Sequence, residues 1–463
     1  MKLKFTKSKP KDAKIALVSF QDTKESHVRI GAKGRKEITI GIGPKGEYNR
    51  RKLILAARKI ISLAKSNKVK ALTIHWKDLE SQAKDAKVSR EDAAELITTN
   101  LEMANFSFVA FKTKPKEGWD FVRNVAIYGD ISEKEKKALE KGQMIGEEVN
   151  KCRTLANTPG GDMTPRRLAE EAERAAEGTD VVVTVLDKEA IEKEKMGGIL
   201  GVSRGSHEDP AVIIMEYNGR QDAKEKSIVL IGKGVTFDTG GLSLKPGEHM
   251  EEMHMDMSGG AAVIHAVVAA AKLGVKKRII GIIPAVENMP SGASYRPGDI
   301  LTSMSGKTIE VRNTDAEGRI ILADALHYAR IYKPEIVVDV ATLTGAALVA
   351  LGMRCSAIFT SDKVLMRQME TWGEASGDYV WPLPLWEEYD EEVKGTFGDV
   401  ANIGKTRYGG AITAAAFLKQ FVGKFPWVHI DMAPRMTSVE GEYLAKGAAG
   451  APVRLLVKLL EEF

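Results

Sequence analysis

The residues best suited to chemistry lie in three short polar stretches of the 463-residue chain. The first stretch, GKGVTFDTGGLSLK, carries Lys233, Asp238 and Lys245 among glycines that let the backbone turn sharply and approach a ligand. A glycine-rich loop of this kind can bind phosphate. However, the stretch lacks both common phosphate-loop spacings, and Asp238 would repel an anion unless a metal ion intervened. Phosphate binding is therefore the weaker alternative.

Asp256 and the stretch NTDAEGR supply the other acidic candidates. Asp256 directly precedes the apolar stretch SGGAAVIHAVVAAAKLG, and taken alone it is better interpreted as a helix N-cap. NTDAEGR brings Asp315, Glu317 and Arg319 close together, and in an extended segment these alternate side chains would project to one face. Surface solvation is the ordinary alternative for such an acidic pair. The predicted strand ends and buried helix next to this acidic pair favour a functional site over surface solvation.

This set of carboxylates suits divalent cations. Four carboxylates with few competing neutral ligands could bind a pair of Mn²⁺, Zn²⁺ or Mg²⁺ ions, and bridging carboxylates hold such pairs about 3.5–4 Å apart. The sequence has no His-x-x-x-His pattern, which argues against a thermolysin-like zinc site. His249 and His254 lie near Asp256 and are the obvious nitrogen donors, but we expect neither to be a ligand.

The elements that must position these residues follow an α/β pattern. Three continuous apolar runs, IVLIG, RIIGII and IVVDV, predict strands buried on both faces of a mostly parallel sheet, with helices such as IILADALHYARIY covering it. The polar stretches follow these runs, and ligands bind at the carboxyl ends of strands in such sheets. Nearer the amino end, IALVSF, KALTIHW and FSFVAFK alternate with helix-like stretches such as RKLILAARKIISLAKS, which predicts a smaller α/β domain.

Length and composition limit the class of protein. A chain of 463 residues suggests more than one domain, and its 43% hydrophobic and 28% charged residues are typical of globular proteins. The net charge of +5 is a small excess of 68 basic over 63 acidic residues, so a nucleic-acid partner is not indicated, although it stays open. Two distant cysteines, no signal-peptide pattern and no membrane-spanning run predict a cytoplasmic protein.

Three longer stretches together resemble the leucyl aminopeptidase family of dinuclear metallo-exopeptidases. They are GKGVTFDTGGLSLKPGEHMEEMHMDMSGGAAV, ENMPSGASYRPGDILTSMSGKTIEVRNTDAEGRIILADAL and DVATLTGA. The likeness extends from about Cys152 to Phe463, whereas the preceding part agrees only in its α/β pattern and position. It implies a macro-like N-terminal α/β domain over 1–135 and a catalytic domain over 156–463 with a mixed, mainly parallel sheet. The highly charged stretch SEKEKKALEKGQMIGEEVNKC is rich in helix formers and predicts a linker helix over 136–155.

The resemblance also implies a ligand set. Lys233, Asp238, Asp256 and Glu317 would bind the tighter metal ion, whereas Asp238, Asp315 and Glu317 would bind the exchangeable one. Lys233 would then have to be a neutral amine, which a competing metal ion can enforce although free lysine has a pKa near 10.4.

Catalytic and substrate-binding roles follow from the same resemblance. Lys245 would stabilise the oxyanion, and a bicarbonate ion acting as general base would be bound by Arg319, with help from the backbone of Gly318 and Leu343. Apolar walls would favour leucine-like N-terminal residues of peptide substrates. The pocket positions are Met253, Asn313, Thr342, Leu343 and Gly345. The implied reaction is release of N-terminal amino acids by a metal-activated hydroxide, in a homohexamer.

Four departures from the family pattern leave every proposed ligand in place. Thr239 stands where serine is usual, Ile320 replaces leucine after NTDAEGR, and GAAG and DMAP replace GATG and DIAG. Two rival hypotheses are a phosphoesterase using the same carboxylates and a binding protein whose basic amino-terminal residues contact nucleic acid or a nucleotide.

Overall fold

The computed structural model describes residues 1–44, 46–219 and 226–463. Contacts between residues divide the chain into two compact units. Unit 1 comprises Met1–Asn150 and Ser438–Lys446, and unit 2 comprises Lys151–Thr437 and Gly447–Phe463. The predicted α/β class with a mixed, mainly parallel larger sheet is confirmed. The sequence-based boundaries of 1–135, 136–155 and 156–463 stay a prediction.

Unit 1 is built on a mixed six-stranded sheet with the order β1-β6-β5-β2-β4-β3. Its strands are β1 (Lys2–Thr6), β2 (Ala16–Gln21), β3 (His27–Ile30), β4 (Lys36–Gly41), β5 (Ala71–His75) and β6 (Asn124–Tyr128). Its helices are α1 (Arg50–Ser66), α2 (Trp76–Asp85) and α3 (Arg90–Ala104), and α4 (Glu133–Asn157) crosses the division between the units. All pairings are parallel except that of β3 with β4.

Two of the three apolar runs of this unit form strands. IALVSF contributes β2 and KALTIHW contributes β5, but FSFVAFK forms neither strand nor helix, so its interpretation as a strand is wrong. Helix α1 begins after Asn49, whose side chain accepts a hydrogen bond from the Lys52 N–H, and it packs its apolar face into the core of the unit.

Unit 2 contains a nine-stranded sheet with the order β16-β15-β18-β14-β9-β11-β8-β7, and β10 pairs with the end of β11. Its strands are β7 (Val181–Leu186), β8 (Ala211–Asn218), β9 (Ser227–Gly232), β10 (Gly234–Asp238), β11 (Arg278–Asn288), β14 (Pro334–Ala341), β15 (Ser356–Phe359), β16 (Val380–Pro382) and β18 (Trp427–Asp431). A small second sheet consists of β12 (Ile300–Thr302), β13 (Thr308–Glu310) and β17 (Val400–Ala401).

The helices of unit 2 surround this sheet. They are α5 (Pro165–Ala176), α6 (Lys188–Lys193), α7 (Gly197–Ser203), α8 (Gly247–Met250), α9 (Ser258–Leu273), α10 (Glu317–Tyr328), α11 (Gly345–Leu351), α12 (Lys363–Ser376), α13 (Glu388–Glu392), α14 (Gly410–Lys419) and α15 (Val453–Glu462). No helix in the described ranges is both long enough and apolar enough to cross a membrane.

The centre of unit 2 positions the polar stretches. Strands β9, β11 and β14 are adjacent and parallel, and β9 is buried along its whole length, as its continuous apolar run predicts. Helix α9 packs closely on these strands. A Cβ atom at Gly259 would lie 2.2 Å from the Val340 carbonyl oxygen, so only glycine fits where the helix approaches β14.

Candidate metal centre

The acidic and basic residues of the three polar stretches meet at the carboxyl ends of β9, β10 and β14. Lys233 follows β9, its N–H donates to the Val340 carbonyl at 2.9 Å, and its own carbonyl accepts from the Gly260 N–H at 2.7 Å. Asp238 ends β10, while Asp256 precedes α9. Side chains from separate elements therefore point into the same region. Ligand sites are expected at this place, because they lie at the carboxyl ends of the strands in parallel sheets.

The Lys233 side chain lies at the base of the cluster and is only 3% exposed. Its Nζ lies 2.8 Å from Asp256 Oδ2 and 2.7 Å from Glu317 Oε1, and it donates to the Thr342 carbonyl at 3.0 Å. Burial by itself lowers the pKa of Lys233, but the carboxylates of Asp256 and Glu317 outweigh it and hold that pKa above its ordinary value. In this arrangement Lys233 is an ammonium group.

Lys245 forms the second ion-paired group, together with Asp238 and Asp315. Its Nζ lies 2.9 Å from Asp238 Oδ2 and also contacts Asp315 Oδ1. Burial lowers the pKa of Lys245, but the carboxylates of Asp238 and Glu317 raise it by a larger amount. The net pKa lies above its ordinary value, so the lysine carries its charge. Asp315 is the most open member of the cluster, with a side chain 34% exposed.

The carboxylates outnumber the lysines in this buried cluster, four to two. Burial, followed by repulsion from Glu317, raises the pKa of Asp238 to about 6, and burial raises the pKa of Asp256 well above its usual range. Burial also acts to raise the pKa of Glu317, but Lys233 and Lys245 lower it on balance. Such an excess of buried negative charge is costly unless protons or cations compensate it.

Three of these carboxylates meet the geometric requirement for one metal ion. Asp238, Asp315 and Glu317 each offer an oxygen, and all three oxygens lie within 4.8 Å of one another. Oxygen-rich ligand sets suit Mg²⁺ and Mn²⁺, and the neighbouring Lys233 amine would add a nitrogen of the kind that Zn²⁺ accepts. The donor chemistry therefore fits a divalent cation.

Two of the local interpretations made from the sequence are wrong. Asp256 is not a helix cap, because Met257 is the N-cap residue of α9 and the Asp256 carboxylate contacts Lys233 and Thr342 instead. NTDAEGR is not extended, because α10 begins at Glu317. Asp315 and Glu317 converge at a turn entering a helix, and Glu317 is only 1% exposed, which also excludes its solvation at the surface.

Gly318 and Arg319 occupy the first turn of α10. A Cβ atom on Gly318 would lie 2.5 Å from Lys233 Cε, so the glycine leaves room for the lysine stem. Arg319 donates from Nη1 to the Asn402 carbonyl at 2.8 Å, while its buried Nε has no hydrogen-bond partner among the described residues. Burial lowers the pKa of Arg319 to about 10. A buried guanidinium with unused donors can accept an anion.

The predicted substrate-binding residues are only partly brought to the cluster. Thr342 donates to Asp256 Oδ1 at 2.7 Å, and Asn313 Oδ1 accepts from the Asp315 N–H at 2.8 Å. Leu343 donates its N–H to Asp431 Oδ1 at 3.1 Å. Gly345 begins α11, and the half-buried Met253 begins the 3₁₀ turn before Asp256. Within the described residues, neither Gly345 nor Met253 forms a hydrogen bond to the cluster.

His249 and His254 were the weakest ligand candidates, and the structure leaves both outside the acidic cluster. His249 Nε2 lies 3.8 Å from Glu248 Oε1, and the His249 side chain is 71% exposed. His254 Nδ1 lies 3.3 Å from the Glu251 carbonyl.

Sequence reasoning missed two buried polar residues that support the site. Asn288 contacts Asp238, and Asp431 accepts hydrogen bonds from the Leu343 N–H and, at 2.6 Å, from the Thr344 hydroxyl. Both residues end strands, namely β11, which contains the predicted run RIIGII, and β18. The available signal was a polar residue at the end of an apolar strand. That signal does not indicate which residue the polar side chain contacts.

Fold and site together define a two-unit α/β protein with a candidate metal centre at the carboxyl edge of its larger sheet. The profile "Cytosol aminopeptidase family, catalytic domain" matches residues 150–457, and the profile of the N-terminal domain of that family matches residues 23–115. The chain belongs to the cytosol aminopeptidase family, and it is an aminopeptidase.

Individual relatives agree with this assignment. A probable cytosol aminopeptidase of Syntrophotalea carbinolica is 45% identical over 80% of this chain and 75% of the relative. That of Chlorobaculum tepidum is 42% identical over 91% of this chain and 85% of the relative. Solved structures of the bottromycin maturation enzyme BotP, one in complex with Mn, are 29% identical, with a TM-score of 0.86, and cover 96% of this chain and 98% of that chain.

Proposed function

We propose that this chain is a metal-dependent aminopeptidase that releases N-terminal amino acids, preferably leucine-like ones, from peptides. The observation that carries the metal requirement is the buried cluster in which Asp238, Asp315 and Glu317 offer oxygens within 4.8 Å of one another. The Mn complex of BotP, a structural relative, supports a divalent cation here, Mn²⁺ or Zn²⁺ and less readily Mg²⁺.

Five residues would share two metal ions. Lys233, Asp238, Asp256 and Glu317 would bind the tighter ion, and Asp238, Asp315 and Glu317 the exchangeable one. When bound, such ions lower the pKa of water and withdraw electrons from a peptide carbonyl. Lys233 would lose its proton on ligation, because a divalent cation would take over the charge compensation that its ammonium group provides to Asp256 and Glu317.

Lys245 would act on the substrate as a charged group. Its partners are the buried Asp238 and the more exposed Asp315, and these carboxylates help to hold its pKa above the ordinary value. A permanently charged ammonium at this position would donate to the oxygen of the scissile carbonyl as negative charge develops there. This contact is strongest in the transition state, so it would raise turnover more than substrate affinity.

Arg319 would bind bicarbonate, which would serve as the general base. The Arg319 Nε, which has no hydrogen-bond partner among the residues that the structure describes, supports this role, since a guanidinium fork suits a planar anion. The backbone of Gly318 lies beside it, whereas the Leu343 N–H already donates to Asp431 and would have to be shared. Met253, Asn313, Thr342, Leu343 and Gly345 would line the pocket for the first side chain.

Assembly and location are extensions of the same proposal. We expect a homohexamer acting on peptides in the cytoplasm, without a membrane partner and without a required nucleic acid. Sedimentation of the purified chain would test the hexamer.

Two substitutions test the division between metal binding and catalysis. Glu317→Ala removes an oxygen from the three-carboxylate group, so we expect both bound Mn²⁺ and leucyl-peptide hydrolysis to fall. Lys245→Ala keeps every proposed ligand, so metal content should stay near that of the wild type while kcat falls about 10²–10³-fold, the range for losing one oxyanion donor.

Metal analysis and steady-state kinetics on aminoacyl and aryl phosphate substrates would measure these effects. Wild-type turnover by Lys245→Ala with its metal intact would contradict the role of Lys245. Phosphatase activity without peptidase activity would overturn the proposed function as a whole.

A further inference from the structure

Asn288 lies between the end of β10, which carries Asp238, and the segment that carries Asp315. It ends β11, and its backbone pairs in register with Asp238 at the end of β10. The side chain is fully buried, and Nδ2 donates at 2.8 Å to Asp238 Oδ1 and at 2.9 Å to the Thr314 carbonyl. Thr314 immediately precedes Asp315. The Asn288 amide therefore links the Asp238 carboxylate to the backbone next to Asp315.

The surroundings of Asn288 fix both of these connections. Its carbonyl accepts from the Thr239 N–H at 3.0 Å and from the Thr239 hydroxyl at 2.8 Å, which fixes the chain just after Asp238. The Thr314 carbonyl also accepts from the Tyr295 hydroxyl at 2.7 Å. Two donors therefore hold the peptide group that leads into Asp315.

The amide group serves as a donor rather than as an acceptor. Both hydrogen bonds use Nδ2, whereas the buried Oδ1 has no hydrogen-bond partner in the described part of the chain. A flipped amide would place Oδ1 against two acceptors, so the orientation follows from the bonding. Leaving a buried acceptor unpaired has a cost, which the two donated bonds must offset.

The donated bonds also select which oxygen of Asp238 faces the cluster. Oδ1 accepts from Asn288 Nδ2 and, at 2.8 Å, from the Gly240 N–H, which leaves Oδ2 directed at Lys245. If Asn288 lost its donors, Asp238 could rotate and the Thr314 peptide could move away. The separation between the Asp238 and Asp315 oxygens would no longer be fixed.

We propose that Asn288 is a positioning residue that sets the separation of the Asp238 and Asp315 carboxylates for a divalent cation. Its role rests on the proposed function, because it requires that the acidic cluster bind a metal ion. Asn288 acts through its hydrogen bonds to the Asp238 carboxylate and to the peptide group before Asp315. Losing a hydrogen-bond partner behind a metal ligand typically weakens metal affinity about 10- to 100-fold.

The test measures Mn²⁺ binding to the full-length, metal-stripped protein by calorimetry, together with thermal unfolding of the same samples. Asn288→Leu keeps nearly the volume of the side chain and removes both donors, and Asn288→Ala is the second variant. Asn105→Ala is the matched control. Asn105 is also a buried amide whose Nδ2 donates at 2.8 Å to a backbone carbonyl, that of Val122, but it belongs to unit 1.

We expect both Asn288 variants to bind Mn²⁺ about 10- to 100-fold more weakly than the wild type. Asn105→Ala should lower the unfolding temperature and leave Mn²⁺ affinity unchanged. Wild-type affinity in either Asn288 variant would overturn the positioning role, and so would an equal loss of affinity in Asn105→Ala. Failure of the wild type itself to bind Mn²⁺ would instead overturn the proposed function.

Discussion

The ion pairs of Lys233 allow a quantitative prediction for the metal-free protein. Lys233→Met keeps most of the buried stem but removes the ammonium group that lies 2.8 Å from Asp256 and 2.7 Å from Glu317. The Asp256 and Glu317 side chains are at most 5% exposed, so water could not solvate their negative charge once the ammonium group is removed. Breaking a buried pair from one side costs about 3–5 kcal/mol, so we expect the free energy of unfolding to fall by that amount.

A second lysine provides a control that differs in burial. Lys419 lies 2.8 Å from Asp390, but the two side chains are 29% and 32% exposed. Because water screens such a pair, Lys419→Met should cost at most about 1 kcal/mol. The contrast between the two lysines therefore isolates the effect of burial at nearly equal distance.

Urea unfolding of chelator-treated protein, followed by tryptophan fluorescence at pH 8, would measure both changes. High pH keeps the carboxylates of the cluster ionised, so the loss in Lys233→Met should be largest there. A loss for Lys233→Met no greater than that for Lys419→Met would refute the reasoning. It would mean that the carboxylates relax or take up protons at little cost.

Two further predictions concern helix α10. Gly318→Ala should destabilise the metal-free protein by about 1–3 kcal/mol in urea unfolding, because its methyl group would meet Lys233 Cε. Gly247→Ala is the control, because a methyl group there would have no atom within 4 Å. A Gly318→Ala protein more stable than the wild type would contradict the predicted clash with Lys233. Burial raises the pKa of Asp324 to about 7. The folded state therefore binds more protons than the unfolded state between about pH 4 and 7, and stability should fall across that range as pH rises, by up to about 1.4 kcal/mol per unit. Asp324→Asn should remove the share of this slope that Asp324 contributes, in unfolding measured at several pH values, and an unchanged slope would exclude Asp324 as a contributor.

Three central strands of unit 2 and the types of residue at its site could be predicted from local sequence patterns. Continuous apolar runs are a local property of the chain, and they marked β9, β11 and β14 because strands buried on both faces need apolar residues at every position. The polar stretches after these runs contained Lys233, Asp238 and Lys245. Because the carboxyl ends of parallel strands lie at the same edge of the sheet, the strand pattern predicted that these three side chains would lie close together.

Local conformation within those stretches was harder to predict. The spacing of Asp315 and Glu317 is compatible with an extended segment, yet the chain enters α10 at Glu317. The capping preference of aspartate is likewise a weak local term. At Asp256 it is outweighed by the contacts of the buried carboxylate with Lys233 and Thr342. Packing and charge compensation decided both cases.

Only the tertiary structure revealed the supporting hydrogen bonds. Asn288 is 50 residues from Asp238 and 26 from Thr314 along the chain, and no periodicity connects these positions. Their contact exists because β10 and β11 are parallel neighbours that place Asp238 beside Asn288. Residue type indicates which chemistry is available, but the pairing of strands decides which buried donor meets which acceptor.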